Sequence, residues 1–245
     1  MTKEKVLFSW SGGKDSALCL YYAMKKYKIV ALVTTVNQEY KRISMHGVRE
    51  ELLIAQADSI GIPLEIVYLE NPGTNDQYKE AIANRLMTFK EQGISKIIYG
   101  DIFLEDLRRW RELQLNEINF QAVFPLWKRN TKELICEFLD TGFKTTVCSV
   151  SDAYLTESHA GNVITKEYIK QLPADVDPCG ENGEFHTFVT DGPIFNSPVE
   201  IEHGEKVYRS IQTNNKTCPI GNSPKQKRKT AQGFWYQDLL LRSEV

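Results

Sequence analysis

Hydrophobic residues in the first half of the chain occur in continuous short runs rather than in alternation with polar residues. Five such runs, rich in β-branched and aromatic residues, lie at positions 6–10, 29–36, 65–69, 96–100 and 122–126. Continuous apolar runs of this length are typical of strands that are covered on both faces in a parallel sheet. Their spacing along the chain is that of repeated strand–helix units.

Amphipathic segments separate these runs and predict the helices of the same units. They lie at 17–26, 47–63 and 75–93, and Gly61, Pro63 and Gly93 are stop signals at their ends. We therefore expect a doubly wound α/β domain with a parallel sheet over residues 1–130. In such a sheet, ligands bind at the carboxyl ends of the strands.

The pattern changes after about residue 130. Asn130 or Thr131 can cap a helix over 132–142, a buried run follows at 145–150, and a short helix is predicted at 166–172. The segments 198–210 and 233–242 have the pattern of antiparallel strands. These features predict a smaller α+β lobe over residues 131–245. The basic segment 225–229 is interpreted as a solvated hairpin loop, with nucleic-acid contact as the less favoured alternative.

Composition and charge exclude several classes of protein. The 245 residues carry a formal net charge of −2, which favours neither a nucleic-acid partner nor an anionic membrane. No apolar run approaches the roughly 18 residues of a membrane span, and the first residues lack the pattern of a signal peptide, so a cytoplasmic protein is expected. The five cysteines form no CxxC pair and the four histidines are scattered, which argues against disulfides and a structural metal.

The stretch FSWSGGKDSALCL at 8–20 places a glycine-rich hexapeptide between a predicted strand and a helix. Gly12 and Gly13 allow the backbone to approach an anion closely, and Lys14 adds a positive charge. Asp15 can orient Lys14 or hold Mg²⁺, and hydroxyl donors come from Ser11 and Ser16. These residue types predict a phosphate-binding loop, and the structural alternative is a tight strand-to-helix turn.

The hexapeptide is neither a Walker A loop, because Phe8 stands where that motif needs glycine, nor a GxGxxG dinucleotide motif. It resembles the PP-loop of the N-type ATP pyrophosphatase superfamily, whose fold is the adenine nucleotide alpha hydrolase-like α/β fold. The resemblance implies that the loop binds ATP.

Four further segments resemble the diphthine–ammonia ligase family, and the resemblance covers nearly all of residues 5–200. They are RISMHGVRE at 42–50, YGDIFLEDLRRWRE at 99–112, FPLW at 124–127 and CGENGEFHTFVTDGP at 179–193. The segment at 99–112 is more similar to the bacterial relatives of these ligases. Because bacteria do not make diphthamide, the acceptor is left open.

The resemblance implies three sets of site residues. ATP is expected to contact Ser11, Gly12, Gly13, Lys14, Asp15, Ser16, Thr34, His46, Gly100 and Asp101. The acceptor is expected to contact Arg108, Arg109, Glu181 and Thr187, with Arg111 as a neighbouring candidate. Catalytic roles are expected for Lys14, Asp15, Asp101, Glu184 and His186. The structural alternatives are a solvated helix surface for the arginines, a helix cap for His46 and an exposed acidic loop for Glu181 and Glu184. Cys179 is interpreted as structural.

The implied reaction is ATP-dependent amide formation that releases AMP and pyrophosphate. ATP and Mg²⁺ are the expected cofactors, and the partners are ammonia and a carboxylate acceptor, either a small molecule or protein-borne. A homo-oligomer is compatible with the sequence. Two alternatives stay open: a tRNA-modifying ligase of the same superfamily, and a module that binds ATP or AMP without turnover.

Overall fold

Two β-sheets and six α-helices organise the part of the chain that the computed structural model describes, residues 2–43, 46–70, 74–211 and 230–242. The strands are β1 (Lys5–Ser9), β2 (Lys28–Asn37), β3 (Arg42–Ile43), β4 (Leu64–Leu69), β5 (Lys96–Ile98), β6 (Gln121–Val123), β7 (Lys144–Ser151), β8 (Phe185–Asp191), β9 (Ile201–Ser210) and β10 (Gly233–Leu241). The helices are α1 (Lys14–Lys26), α2 (Glu50–Ile60), α3 (Asn75–Lys90), α4 (Glu105–Glu117), α5 (Thr131–Asp140) and α6 (Lys166–Gln171). No described helix has the length and apolar character needed to cross a membrane.

The first sheet has five parallel strands in the order β4–β2–β1–β5–β6. The short strand β3 pairs antiparallel with the last residues of β2, past the residues of β2 that pair with β1. Successive strands are added on one side of β1 and then on the other, so the order reverses between β1 and β5. Ligands bind in the crevice at such a switch point, outside the carboxyl ends of the strands. The predicted doubly wound α/β fold is confirmed.

The second sheet is antiparallel, in the order β8–β7–β10–β9. The segments predicted as strands at 145–150, 198–210 and 233–242 lie in β7, β9 and β10, and the predicted helices at 132–142 and 166–172 correspond to α5 and α6. The domain boundary near residue 130 stays a prediction, and the basic segment 225–229 lies outside the described residues.

The segment GENGEFHT at 180–187 has two glycines and is interpreted from the sequence as a loop, but its last three residues belong to strand β8. Phe185 and Phe188 are fully buried, and the strand pairs with β7 over its whole length. The β-branched and aromatic residues after Gly183 therefore favour a strand, and only the residues before Phe185 form a turn.

The two sheets share one apolar cluster, and its members come from both. Trp10 and Leu53 belong to the first sheet and its helices, and Val147 and Phe188 belong to the second sheet. Burial of this cluster is the main stabilising contribution to the contact between the sheets.

Gln56 adds polar contacts at the same junction. Its side chain is fully buried, accepts a hydrogen bond from Trp10 Nε1 at 3.0 Å, and donates to the carbonyl oxygens of Gly12 and Val189 at 3.0 and 2.6 Å. A direct backbone bond of 2.9 Å joins Val189 N to Gly12 O. The turn after β1 is thus fixed to a strand of the second sheet.

We expect Gln56→Ala to lower the free energy of unfolding by about 2–4 kcal/mol, because it leaves buried donors and acceptors without partners. Urea denaturation measures the change. Gln92→Ala is the matched control, since Gln92 makes a single exposed bond to Thr88 O, and its stability should stay within about 0.5 kcal/mol of the original. Equal stability of the two variants would contradict the role assigned to Gln56.

Candidate active site

The turn between β1 and α1 has a backbone that only glycine accommodates at Gly12. Its φ is +76°, and a Cβ there would lie 2.7 Å from Gln56 Oε1. Gly100, which follows β5, faces the same turn, because a Cβ on it would lie 3.1 Å from both Cα and N of Ser16. The end of β5 is therefore in close backbone contact with the first turn of α1 at the switch point.

Hydroxyl groups fix the shape of this turn. Ser11 Oγ accepts a bond from Gly13 N at 3.3 Å and donates to Ser16 Oγ at 3.0 Å, and Ser16 Oγ donates to Gly13 O at 2.9 Å. The N-cap residue of helix α1, Gly13, has no side chain to cap the helix. Its first turn, with the positive end of the helix dipole, therefore fits an anion such as a phosphate group.

Lys14 connects this turn to the second lobe. Its backbone N–H donates to Thr187 Oγ1 at 3.0 Å, and its ammonium group donates to Asp15 Oδ2 at 2.7 Å and to the carbonyl oxygen of Cys179. The side chain is only 4% exposed. Burial alone would lower the pKa of Lys14, but Asp15, Cys179 and Glu181 raise it above its ordinary value, so Lys14 stays charged.

Carboxylates surround the Lys14 ammonium. Burial raises the pKa of Asp15, against the opposing effect of Lys14. Burial also raises the pKa of Glu181 well above its ordinary value, and the charges of Asp15, Asp101 and Asp177 raise it further. Glu181 is therefore the carboxylate of this group that takes up a proton most readily.

His46 and His186 form a stacked pair beside the turn, with ring centroids 4.5 Å apart and an interplanar angle of 25°. Burial, with the charge of Lys14, lowers the pKa of His46 to about 4, and burial lowers the pKa of His186 well below its ordinary value. Both rings are neutral at pH 7. His46 Nδ1 and His186 Nε2 are buried and have no hydrogen-bond partner among the described residues.

Glu184 lies in the same segment but is directed into the protein. It is fully buried, and its carboxylate accepts bonds from the backbone N–H groups of Asp177 and Asn182 and from Asn182 Nδ2, at 2.8–2.9 Å. These contacts fix the turn from 177 to 184. They favour a positioning role for Glu184 over the catalytic role expected from the sequence.

Asp101 lies at the carboxyl end of β5 and pairs with Arg111 of α4, with Oδ2 and Nε 3.0 Å apart. Arg108 pairs instead with Glu112 at 2.8 Å and packs over Phe124 and Trp127. Arg109 is exposed on the surface of α4. Of the three arginines of α4, the structure thus brings Arg111 to the carboxyl ends of the strands.

Two positions from the sequence analysis, Thr34 and Cys179, are buried, and a third buried residue, Gln56, was not predicted. Thr34 of β2 is buried, and its hydroxyl oxygen has no hydrogen-bond partner in the described part of the chain. Cys179 is buried and donates to Thr131 O at 3.3 Å, and burial raises the pKa of its thiol, which fits the structural interpretation. Gln56 was missed, because its pattern is that of an ordinary helix position.

A protein-bound metal is a poor fit to these residues. Within the described ranges, no three histidine, cysteine or carboxylate side chains are grouped so as to hold a metal ion. Asp15, the candidate Mg²⁺ ligand, is instead paired with Lys14. Any Mg²⁺ at this site would have to arrive with phosphate groups that supply most of its oxygen ligands.

Comparison with known proteins agrees with this architecture. The family model described as "Diphthamide synthase N-terminal domain" matches residues 4–121, and "Diphthamide synthase C-terminal domain" matches residues 130–218. The chain belongs to the diphthamide synthase family. The resemblance to diphthine–ammonia ligases expected from the sequence is confirmed.

Relatives in this family are similar over most of the chain. The "Diphthine--ammonia ligase" of Rattus norvegicus is 30% identical over 226 residues, which cover 82% of this chain and 84% of that protein. The protein of the same name from Mus musculus is 25% identical over 227 residues, with 82% and 84% covered. Among solved structures, a "predicted subunit of tRNA methyltransferase" from Methanocaldococcus jannaschii has a TM-score of 0.39 and 20% identity, and covers 59% of this chain and 80% of that chain. The structural likeness does not bear on function.

The two glutamates of the turn are expected to respond oppositely to replacement by glutamine. Glu184→Gln places an amide N–H₂ among three N–H donors, so we expect the free energy of unfolding to fall by about 1–3 kcal/mol. Glu181→Gln removes a group whose ionisation the fold disfavours, so stability at pH 7 should rise. Urea denaturation of both variants measures the two changes.

The pH dependence separates the two effects. Because the folded state raises the pKa of Glu181, its ionisation lowers stability as pH rises above about 4.5, the ordinary value for this group. The gain in Glu181→Gln should therefore disappear below that pH. A gain that persists at pH 4, or a stable Glu184→Gln variant, would contradict this account.

Proposed function

We propose that the protein is an ATP-dependent amide ligase, which converts a carboxylate acceptor and ammonia into an amide and releases AMP and pyrophosphate. One observation supports this most directly: the glycine-rich turn and the segment 179–187 meet at Lys14. The names of the relatives, diphthine–ammonia ligase, support the same class of reaction. The identity of the acceptor is not part of the proposal.

Phosphate binding is assigned to the turn from Ser11 to Ser16 and to Lys14. The turn offers the positive end of α1, and Lys14 adds a charge that is fixed in place by Asp15 and the Cys179 carbonyl. An acceptor carboxylate oxygen attacks the α-phosphorus, and the bond from that phosphorus to the bridging oxygen breaks as pyrophosphate leaves. The contribution of the protein is to position the groups and to balance the charge of the leaving group.

Ammonia then attacks the acyl carbon, and AMP leaves with the bonding electrons. Ammonium must lose one proton before this attack and a second as the amide forms. Glu181 is the better proton acceptor, because burial raises its pKa, whereas burial lowers the pKa of both histidines. His46 and His186 instead offer two unpartnered nitrogen atoms for hydrogen bonds with a ligand, each as donor or acceptor according to the tautomer.

We expect Lys14→Ala to weaken ATP binding at least tenfold, because a charge-assisted contact to phosphate contributes about 1.5–3 kcal/mol. Calorimetric titration with ATP and Mg²⁺ measures the affinity. Lys26→Ala, at the opposite end of α1, is the matched control and should bind ATP like the original protein. Circular dichroism verifies that both variants are folded.

An unchanged ATP affinity in a folded Lys14→Ala variant would exclude the turn as the phosphate site. A loss of affinity in Lys26→Ala as large as in Lys14→Ala would show that the effect is general to the helix, and would count equally against the assignment.

The products of turnover distinguish this reaction from other uses of ATP. With ATP, Mg²⁺, ammonium and a panel of carboxylates, we expect AMP and pyrophosphate in equal amounts, because the turn is assigned to the phosphates that leave together. Anion-exchange chromatography separates and quantifies the nucleotides. ADP with orthophosphate would place the protein in another mechanistic class, and bound ATP that is never converted would favour a binding module.

A further inference from the structure

The segment RISMHGVRE at 42–50 carries two arginines that the proposed nucleotide site does not use. Its residues at 41–43 and 46–50 pair as two antiparallel arms, which we call the β3 hairpin. Arg42 and Arg49 lie opposite each other across these arms. Two guanidinium groups in such positions repel each other unless a negative charge lies between them.

Asp238 of β10 supplies this negative charge from the second sheet. Its Oδ1 accepts hydrogen bonds from Arg42 Nη1 at 2.8 Å and from Arg49 Nε at 3.1 Å, and its Oδ2 accepts one from Arg49 Nη2 at 2.7 Å. Arg49 thus binds the carboxylate in a bidentate manner, which strengthens the pair and fixes its geometry. Burial alone would raise the pKa of Asp238, but its bonds with the two arginines lower it, so the carboxylate stays charged.

Strand β10 contacts the hairpin at a second point as well. Arg42 Nη1 also donates to Gly47 O at 2.7 Å. The φ of Gly47 is +70°, and a Cβ there would lie 2.6 Å from Tyr236 Cδ1, so the Tyr236 ring packs directly on the hairpin backbone. The ion pair and the aromatic ring together fix the hairpin against β10.

His46 belongs to the second arm of the hairpin and packs against the turn assigned to phosphate. A Cβ at Gly13 would lie 3.3 Å from His46 Cε1 and 3.1 Å from Thr187 O, so the backbone of the turn is enclosed between this ring and β8. The ring also stacks on His186 of β8. The position of His46 therefore depends on the hairpin, and the hairpin depends on Asp238.

We propose that Asp238 is a positioning residue, which holds His46 against the turn from Ser11 to Ser16 through the two arginines of the β3 hairpin. It acts through the hairpin rather than on the nucleotide. Its importance for nucleotide binding rests on the proposed function, but the position of the His46 ring depends on neither ATP nor turnover.

Asp238→Asn removes the charge and keeps the shape of the side chain. In ¹H–¹³C spectra of the full chain, the ring signals of His46 and His186 are identified by their loss in His46→Gln and His186→Gln. We expect both signals to move in Asp238→Asn, because the two rings lose their stacked arrangement. The signal of His159, which bonds to Tyr168 instead, should stay in place. Circular dichroism verifies that the variant is folded.

The affinity for ATP, measured by calorimetric titration with Mg²⁺, tests the consequence for the nucleotide site. We expect it to fall about tenfold in Asp238→Asn, within the usual range of coupling between two sites. Asp238→Glu keeps the charge and should retain most of the affinity. Asp191→Asn is the matched control, because Asp191 has a similar exposure and its ion pair with Lys144 lies within the second sheet. This variant should bind ATP like the original protein.

Arg49→Gln tests the same contact from the hairpin, and keeps the test decisive if Asp238→Asn does not fold. It should move the two histidine signals and weaken ATP binding in the same direction. Where both variants fold, their combination should lose no more affinity than Asp238→Asn alone, because both changes remove one ion pair. Losses that add would show two independent effects and count against the proposal.

The outcomes separate this inference from the proposed function. Unchanged histidine signals in a folded Asp238→Asn variant overturn it, and so does an ATP affinity that falls equally in Asp191→Asn. Shifted signals with an unchanged ATP affinity overturn the role of Asp238 in nucleotide binding. Weaker ATP binding in Asp238→Asn, with no AMP release by the original protein from any carboxylate, supports the inference and counts against the ligase.

Discussion

The buried ammonium of Lys14 is the constraint on which the site depends. An ammonium group taken out of water is very costly unless charges and hydrogen-bond acceptors surround it. Here the partners come from both lobes, since Asp15 is the next residue and the Cys179 carbonyl belongs to the turn before β8. The turn after β1 therefore reaches its charged, ordered form only when the second lobe is in place.

The second sheet is thus part of the proposed nucleotide site. Val189 and Thr187 of β8 bond to Gly12 and Lys14, and Gln56 joins Gly12 to Val189 from the opposite side. Glu184 holds the turn that delivers the Cys179 carbonyl to Lys14. Glu184 is therefore coupled to the turn proposed to bind phosphate through a short series of hydrogen bonds.

Much of this fold could be predicted from the sequence because its signals are local. The apolar runs, the glycine stops and the hexapeptide at 11–16 each lie within a few residues, and they gave the strands, the helices and the switch point. The roles of Gln56, the Cys179 carbonyl and Arg111 depend on partners elsewhere in the chain. Lys14 and Cys179, for example, are 165 residues apart. Glu184 shows the same limit. The sequence of a glycine-rich segment does not distinguish a carboxylate that contacts a ligand from one that bonds to the backbone of a turn.

Burial and the charge of Lys14 together determine which groups can move protons in the proposed reaction. Burial, with a smaller contribution from Lys14, lowers the pKa values of the two stacked histidines, and so removes the residues that would ordinarily be the first candidates for a general base. Burial and the neighbouring carboxylates raise the pKa of Glu181. Phosphate groups near Lys14 would add negative charge, which raises the pKa of every group around it. Glu181 therefore binds a proton more tightly when the nucleotide is present, so proton transfer in the proposed reaction is coupled to nucleotide binding.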